Sequence, residues 1–272
     1  MPRHNQVMIT RFPGIFRHKA LLATFVRAKP SPGKLRLRGA GSLLSPPLSL
    51  PYIGVMAKNP KKRCDRYDTS GNPEAEYVDA AQTVLVNKQG ITDLKTLQVA
   101  EEEALARAYQ TLLAEVRTDT LLTCDLLQHV HSVIFGDLYT WAGKWRTVWI
   151  SKPGTTWPAP DFLDRNMGEY ERAVLRAYPA EMIRDDDRFC AAAAEIQGEF
   201  LVVHPFREGN ARTIKLATDL LAAQTGRPLL AYDHSEESAA EYVEAAKAAF
   251  HRHYEPLAGV IRRSLERARR RP

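Results

Sequence analysis

The chain has 272 residues, of which 44% are hydrophobic and 26% charged, as in ordinary water-soluble globular proteins. No apolar run approaches the roughly 20 residues that a membrane-spanning helix requires, so we expect no membrane partner. The cysteines, Cys64, Cys124 and Cys190, form no CxxC pair, which argues against a disulfide framework or zinc ribbon and favours a reducing, cytoplasmic compartment.

The net charge of +6 is unevenly distributed. Residues 1–64 contain 13 Lys and Arg but no Asp or Glu, whereas the remainder has 25 basic and 32 acidic residues. The body of the protein is therefore acidic, which argues against a nucleic-acid partner. A nucleic-acid binder with a basic arm is the least favoured of the functional interpretations for that reason.

Residues 1–55 are basic and become rich in Pro and Ser toward their end, so they are left out of the fold prediction. Three interpretations stay open: a disordered tail, an Arg-rich targeting segment, and an extension upstream of a true start at Met56. The main domain is expected over residues 56–265, followed by a basic tail over residues 266–272.

Helical periodicity dominates from Ala80 onward and predicts a mostly α-helical fold. Asp185 and Ser235 are placed to begin helices, and Gly136 and Gly226 to end them. The predicted helices cover residues 98–116, 120–135, 161–178, 185–203, 210–224 and 235–253, with a short last helix that carries the arginines of 262–271. We expect those arginines to form a solvated tail.

One stretch has the composition of β-structure. Its β-branched and aromatic residues predict strands over 145–150 and 155–157, joined by a turn over 151–154 that contains Pro153 and Gly154. The result is a short β-hairpin projecting between helices. A lone hairpin is only marginally stable in water, so we expect it to pack against the helices or to be stabilised by a bound partner.

The loop before the predicted helix over 210–224 has the residue types that phosphate chemistry needs. His204 titrates near neutrality and can take a proton from a hydroxyl group. Glu208 can hold a Mg²⁺ ion that bridges phosphates, and Gly209 lets the backbone approach a ligand closely. Arg212 lies in the first turn of the helix, where free N–H groups also attract anions. These residues predict nucleotidyl or phosphoryl transfer.

This loop, HPFREGNARTIK, resembles the signature of the Fic (filamentation induced by cAMP) family, HxFx(D/E)GNGRxxR. Residues 84–93 are similar to the family's entry segment, and residues 141–152 with 157–159 to its target-docking flap. The resemblance covers about residues 70–260. It implies a Fic-type helical bundle with a short β-hairpin flap, and protein adenylylation as the function: AMP passes from ATP to a Tyr, Thr or Ser hydroxyl of a target protein.

The resemblance also implies roles for individual positions. His204 is the general base, Phe206 a buried anchor and Glu208 the Mg²⁺ ligand. Nucleotide binding falls to Gly209, Asn210, Ala211, Arg212 and Lys215. The flap that would pair with the main chain of the target protein consists of Arg146, Thr147, Val148, Trp149, Ile150, Ser151, Lys152, Pro153, Gly154, Thr155, Thr156 and Trp157.

Two positions depart from the family pattern. Ala211 replaces the second Gly, which costs little if residue 211 is helical, as we expect, and strains the anion hole if its φ is positive. Lys215 replaces the last Arg and loses the bidentate fork on the γ-phosphate. A Fic-fold phosphotransferase and a weakened nucleotide-binding interaction module are therefore alternatives to AMP transfer. The Gly-Asn pair after Glu208 argues against the phosphotransferase subgroup, which has Asn-Lys there.

Many relatives are inhibited by a helix with the pattern (S/T)xxxE(G/N). The match over residues 111–115 lies in a predicted core helix and is interpreted as coincidence. The match over residues 70–74 contains Gly71 and Pro73, which oppose a helix. Control of activity is left open between a separate small antitoxin protein and other means.

Overall fold

A computed structural model of the chain describes residues 71–152 and 154–270; the interpretations given for residues 1–55, for Pro153 and for residues 271–272 lie outside the described residues. The described part is mostly α-helical with one two-stranded antiparallel sheet, which confirms the predicted fold class. Its elements are α1 (Leu94–Glu115), α2 (Cys124–Phe135), β1 (Ser151–Lys152), β2 (Thr155–Thr156), α3 (Leu163–Ala173), α4 (Asp186–Val203), α5 (Asn210–Gln224), α6 (Glu236–Ala248) and α7 (Glu255–Arg269).

Side-chain caps fix where four of these helices begin. Asp93, Thr123, Asp185 and Ser235 each accept a hydrogen bond from a backbone N–H of the first turn. The predicted starts of α4 and α6 are thereby confirmed. α1 begins before the predicted residue 98 and α2 after the predicted residue 120, because the caps at Asp93 and Thr123 override the apolar periodicity.

The long, apolar helix α4 is the centre of the larger hydrophobic core. It packs against α3, α5, α6 and α7, and Cys190 is buried within it. A second core lies between α1, α2 and α5. Because α5 contributes Ile214 and Leu221 to the first core and Leu216 and Leu220 to the second, its position is fixed from both sides.

The hairpin differs from its prediction. The strand predicted over 145–150 is wrong: β1 is Ser151–Lys152, part of the predicted turn, and pairs with β2 through Ser151↔Thr156 and Lys152↔Thr155. The reason lies at Arg146, which is 2% exposed and whose N–H donates to the Pro205 oxygen at 2.8 Å. The segment before the hairpin is therefore bound to the neighbouring loop rather than to a β-ladder.

The helix predicted over 161–178 is α-helical only over Leu163–Ala173, with short 3₁₀ turns at Pro160–Phe162 and Leu175–Ala177. The last helix predicted to carry the C-terminal arginines is confirmed as α7, but several of these arginines bind other residues instead of forming a purely solvated tail. Buried Ile261 and Leu265 anchor α7, Arg262 pairs with Asp187, and Arg267 donates to the Ala231 oxygen at 2.8 Å.

Over residues 71–152 and 154–270, no helix combines the length and apolarity needed to cross a membrane.

Candidate active site

The loop between α4 and α5 is held rigid by its own side chains. Phe206 is fully buried, and its N–H and carbonyl oxygen bond to the two ends of the Asn210 amide, at 2.9 and 2.8 Å. Gly209 has a φ of +78°, and a Cβ added there would lie 2.3 Å from the Phe135 ring. The backbone thus comes so close to Phe135 that only glycine fits, and α5 begins immediately afterwards.

His204 ends α4 in a left-handed conformation, with φ 53° and ψ 59°. Its Nδ1 lies 3.2 Å from the Leu201 carbonyl oxygen, which can only accept, so the proton is assigned to Nδ1 and Nε2 is left as an acceptor. The indole of Trp157 lies 4.2 Å from the imidazole between ring centroids, and its Nε1 donates to the same Leu201 oxygen at 3.0 Å. Burial lowers the pKa of His204 to about 4, so the ring is neutral near pH 7 and able to take a proton.

Glu208 and Arg212 face each other across the first turn of α5. One Glu208 oxygen accepts the Gly209 N–H at 2.9 Å and lies 3.6 Å from the NH2 nitrogen of Arg212. Burial alone would raise the pKa of Glu208, but the charge of Arg212 and the Gly209 N–H outweigh it and hold that pKa below its ordinary value. The carboxylate is therefore ionised at neutral pH.

The start of α5 has unsatisfied donors that fit phosphate oxygens. Gly209 provides no side-chain cap, so the first-turn N–H groups depend on water or a ligand. The NH2 nitrogen of Arg212 is buried and has no hydrogen-bond partner among the described residues. A buried orphan donor costs about 1–3 kcal/mol, which an anionic ligand would relieve.

A metal ion would have a single protein ligand in this loop. The described part of the chain contains no group of three or more His, Cys, Asp and Glu residues arranged to hold a metal. Mg²⁺ typically takes one or two carboxylates and completes its shell with phosphates and water. The ionised Glu208 fits that pattern only together with a bound nucleotide.

Arg146 joins the flap to this loop. Its guanidinium donates to the carbonyl oxygens of His204 at 2.9 Å, Val148 at 2.8 Å and Pro158 at 2.7 Å. Burial lowers the pKa of Arg146 to about 10, which still leaves it charged at neutral pH. One buried cation therefore ties both ends of the flap to the backbone of His204.

Residues 121–222 match the sequence model of the Fic/DOC family. The chain carries a Fic/DOC domain. It is 27% identical over 201 residues to protein adenylyltransferase VbhT of Bartonella schoenbuchensis, covering 74% of this chain and 40% of VbhT. It is 25% identical over 182 residues to the probable protein adenylyltransferase y4lH of Sinorhizobium fredii, covering 67% of this chain and 91% of that protein.

Solved Fic domains have the same fold. The N-terminal FIC domain of Bep8 from Bartonella sp. 1-1C superposes with a TM-score of 0.60 at 17% identity, over 70% of this chain and 94% of that one. A Fic domain from Bartonella quintana with bound ADP gives 0.56 at 20% identity, over 69% and 92% of the two chains. BepC from Bartonella tribocorum with bound AMPPNP gives 0.55 at 17% identity, over 71% and 97%. These similarities confirm the Fic-type helical bundle.

Within the Fic/DOC domain, the structure brings most of the predicted nucleotide residues together in one loop and the first turn of α5. Ala211 is the second residue of α5 and has no positive φ, so the expectation of a helical conformation there is confirmed. Lys215 also contacts residues outside the loop: its ammonium lies 3.7 Å from the centre of the Tyr242 ring and 4.5 Å from that of Tyr232. Burial lowers the pKa of Lys215 to about 8.

The predicted flap residues do not form one surface. Arg146 and Val148 are buried, and the Thr147 N–H donates to the Glu74 carboxylate at 2.8 Å. Trp157 contacts His204. The solvent-facing part of the flap includes Thr147, Trp149, which is 50% exposed, and the two short strands.

Three side chains that shape the site were not predicted from the sequence. Glu74 also accepts, through its carbonyl oxygen, a bond of 2.6 Å from Arg207, so residues before α1 reach both the flap and the loop. Glu101 binds Arg212 at 2.9 Å. His131 joins α2 to the Glu208 carbonyl oxygen. Glu101 and His131 could have been found from the sequence, because each is a polar residue on an otherwise apolar face of a predicted helix.

His131 is a neutral side chain that supports the loop between α4 and α5. Nδ1 accepts the Gly143 N–H at 2.8 Å, which leaves the proton on Nε2, 3.1 Å from the Glu208 oxygen. The ring is fully buried and stacks on Phe206 with centroids 3.8 Å apart. Burial lowers the pKa of His131 to about 3.

We expect His131 to make the domain less stable in weak acid. Its folded-state pKa lies below the ordinary value of 6.5, so the unfolded chain takes up the proton first. Its contribution is complete above about pH 6.5 and is lost as the pH falls toward about 3; at pH 5 the loss is about 2 kcal/mol. Urea unfolding at about pH 7 and pH 5, for the wild type and His131→Gln, measures the difference. Equal pH dependence in the two proteins would contradict the expectation.

Proposed function

We propose that the Fic/DOC domain transfers AMP from ATP to a Tyr, Thr or Ser hydroxyl of a target protein. The observation that carries the proposal is a neutral His204 with an open Nε2, in the same loop as the uncapped N-terminus of α5. Nucleotidyl transfer needs a base for the attacking hydroxyl and fixed positive potential around the phosphates. The names of the relatives, protein adenylyltransferases at 25–27% identity, support this reaction.

ATP is the proposed donor, held mainly by the first turn of α5. The N–H groups at Asn210 and Ala211 would bind the α- and β-phosphates, joined by that of Gly209 if a phosphate oxygen replaces Glu208 as its acceptor, and Arg212 would bind the phosphates beyond. Lys215 adds positive charge nearby without a guanidinium fork. The structurally similar domains with bound ADP and AMPPNP support an adenine nucleotide as ligand. Mg²⁺ held by Glu208 would neutralise charge on the phosphates.

In the proposed reaction, the target hydroxyl oxygen attacks the α-phosphorus of ATP. A bond forms between these atoms, and the bond from the α-phosphorus to the bridging oxygen breaks, so that pyrophosphate leaves with that electron pair. His204 Nε2 takes the hydroxyl proton, and Leu201 holds the Nδ1 proton throughout. The backbone N–H groups at the start of α5 stabilise the charge that develops on the α-phosphate oxygens.

The target protein would add an extended segment to the exposed hairpin. β1 and β2 pair only with each other among the described residues, so each has one edge without a neighbouring strand. Such an edge offers backbone N–H and carbonyl groups to a further strand, with little regard for its sequence. Exposed Trp149 precedes β1 and would add apolar contact. A separate antitoxin remains a second proposed partner, and no nucleic-acid partner is expected.

The position of the radioactive label tests the proposal. The full chain is incubated with a cell lysate, Mg²⁺ and ATP labelled on either the α- or the γ-phosphate, beside a His204→Asn variant. Protein labelled from α-phosphate alone, and only with intact His204, is the expected result. Label from the γ-phosphate alone would replace the proposal with phosphotransfer. ATP binding without label from either position would replace it with a nucleotide-binding interaction module.

A further inference from the structure

Glu101 is an acidic residue on the buried face of α1. The neighbours on that face are Leu97, Ala104, Ala108 and Leu112, and Glu101 itself is 4% exposed. α1 precedes residues 121–222, the part of the chain that matches the family model. A buried carboxylate is unfavourable unless it is paired and hydrogen-bonded, so its partners explain its position.

Both oxygens of Glu101 are satisfied. The Tyr139 hydroxyl donates to Oε1 at 2.7 Å, and Arg212 NH1 donates to Oε2 at 2.9 Å. Burial alone would lower the pKa of Arg212, but the charges of Glu101 and Glu208 outweigh it and raise that pKa above its ordinary value. Arg212 is therefore charged where it contacts the Glu101 carboxyl group.

Arg212 is fixed in orientation as well as in position. Its guanidinium carbon lies 4.7 Å from the centre of the Phe135 ring, which holds one face of the group. A guanidinium is planar and rigid, so anchoring NH1 on Glu101 and the face on Phe135 sets the direction of NH2. NH2 is the buried donor without a hydrogen-bond partner, 3.6 Å from a Glu208 oxygen.

We propose that Glu101 is a positioning residue that aims the NH2 group of Arg212 at a phosphate beyond the α-phosphate of the bound nucleotide. This inference rests on the proposed function, because it assigns the orphan donor to that nucleotide. Glu101 occupies only one of the five N–H donors of Arg212 and keeps its Tyr139 bond, so it prepares the guanidinium for a phosphate rather than competing with it. Preorganisation of this kind strengthens binding by removing the cost of ordering the side chain.

Nucleotide affinities of the full chain test the assignment, with AMP, ADP and ATP titrated against each variant. Glu101→Gln keeps the side-chain shape and removes the charge; we expect it to weaken ADP and ATP about tenfold and leave AMP unchanged. Glu102→Gln, an exposed acid on the same helix, is the matched control and leaves all three affinities unchanged. Arg212→Lys should give the same pattern as Glu101→Gln, and the double variant should be no weaker than Arg212→Lys alone.

Tyr139→Phe keeps the inference testable if Glu101→Gln fails to fold. It removes one hydrogen bond from the carboxylate and should weaken ADP and ATP about two- to fourfold, again sparing AMP. An equal loss for all three nucleotides, no loss for any, or tighter ATP binding in either variant would overturn the assignment. A wild-type chain that bound no adenine nucleotide would instead overturn the proposed function, so the two failures are distinguishable.

Discussion

Replacement of His204 by asparagine is expected to reduce AMP transfer by about 10²–10⁴-fold while ATP affinity changes little. Nε2 is the open acceptor of the loop, whereas the phosphates are assigned to the first turn of α5 and to Arg212. Asparagine is preferable to alanine, since the φ of 53° at residue 204 is tolerated by Asn but strained for Ala. Transfer of α-label from ATP and calorimetric titration of ATP give the two quantities.

His129→Ala is the matched control for this experiment. His129 lies on the exposed side of α2, where it pairs with Glu115 at 3.0 Å, outside the loop. It should retain wild-type transfer. Activity of His204→Asn within about threefold of the wild type would contradict the assignment of His204 as the base, since loss of general-base catalysis costs at least about a hundredfold.

Gly209→Ala is expected to lower the free energy of unfolding by about 2–4 kcal/mol and to abolish measurable ATP binding. The φ of +78° strains any residue with a Cβ, and that Cβ would lie 2.3 Å from Cε2 of Phe135. Either Phe135 or the loop must move, and Phe135 also supports Arg212. Urea unfolding and ATP titration measure the two effects.

Two matched variants separate the causes. Gly226 has a φ of +75° with nothing within 4 Å of an added Cβ, so Gly226→Ala reports the backbone strain alone, about 1–2 kcal/mol. Ala211→Gly restores the glycine of the family signature at a helical position and should cost about 1 kcal/mol or less without loss of ATP binding. A cost for Gly209→Ala no larger than that for Gly226→Ala would show that contact with Phe135 is unimportant.

The helices were predictable from the sequence where a cap and an apolar period agree. Asp185 caps α4 and Gly209 precedes α5, and both helices have the predicted extents to within a residue. The strand over 145–150 was not predictable, because β-propensity describes a half-buried pleated surface while Arg146 is drawn into the core by three carbonyl oxygens. Tertiary hydrogen bonds of that kind leave no periodic signal.

The same contrast holds for the candidate site. His204, Glu208, Gly209 and Arg212 lie within nine consecutive residues, so their spacing alone indicated phosphate chemistry. Glu101 binds Arg212, which is 111 residues away in the sequence. Only the position of Glu101 on an apolar helix face indicated that it has a partner in the core. The contacts of Lys215 with Tyr232 and Tyr242 could not be predicted from the signature, because both tyrosines lie outside it.

The contacts that organise the loop join distant stretches: 58 residues separate Arg146 from His204, 73 separate Glu74 from Thr147, and 111 separate Glu101 from Arg212. Closing such long loops costs chain entropy before any contact is gained, so these pairs form together with the whole domain. α4, which His204 directly follows, also packs against α7 near the C-terminus. A chain still emerging from the ribosome would therefore contain the loop sequence before the contacts that position its side chains could form. We expect the site to be complete only after α7 has been synthesised.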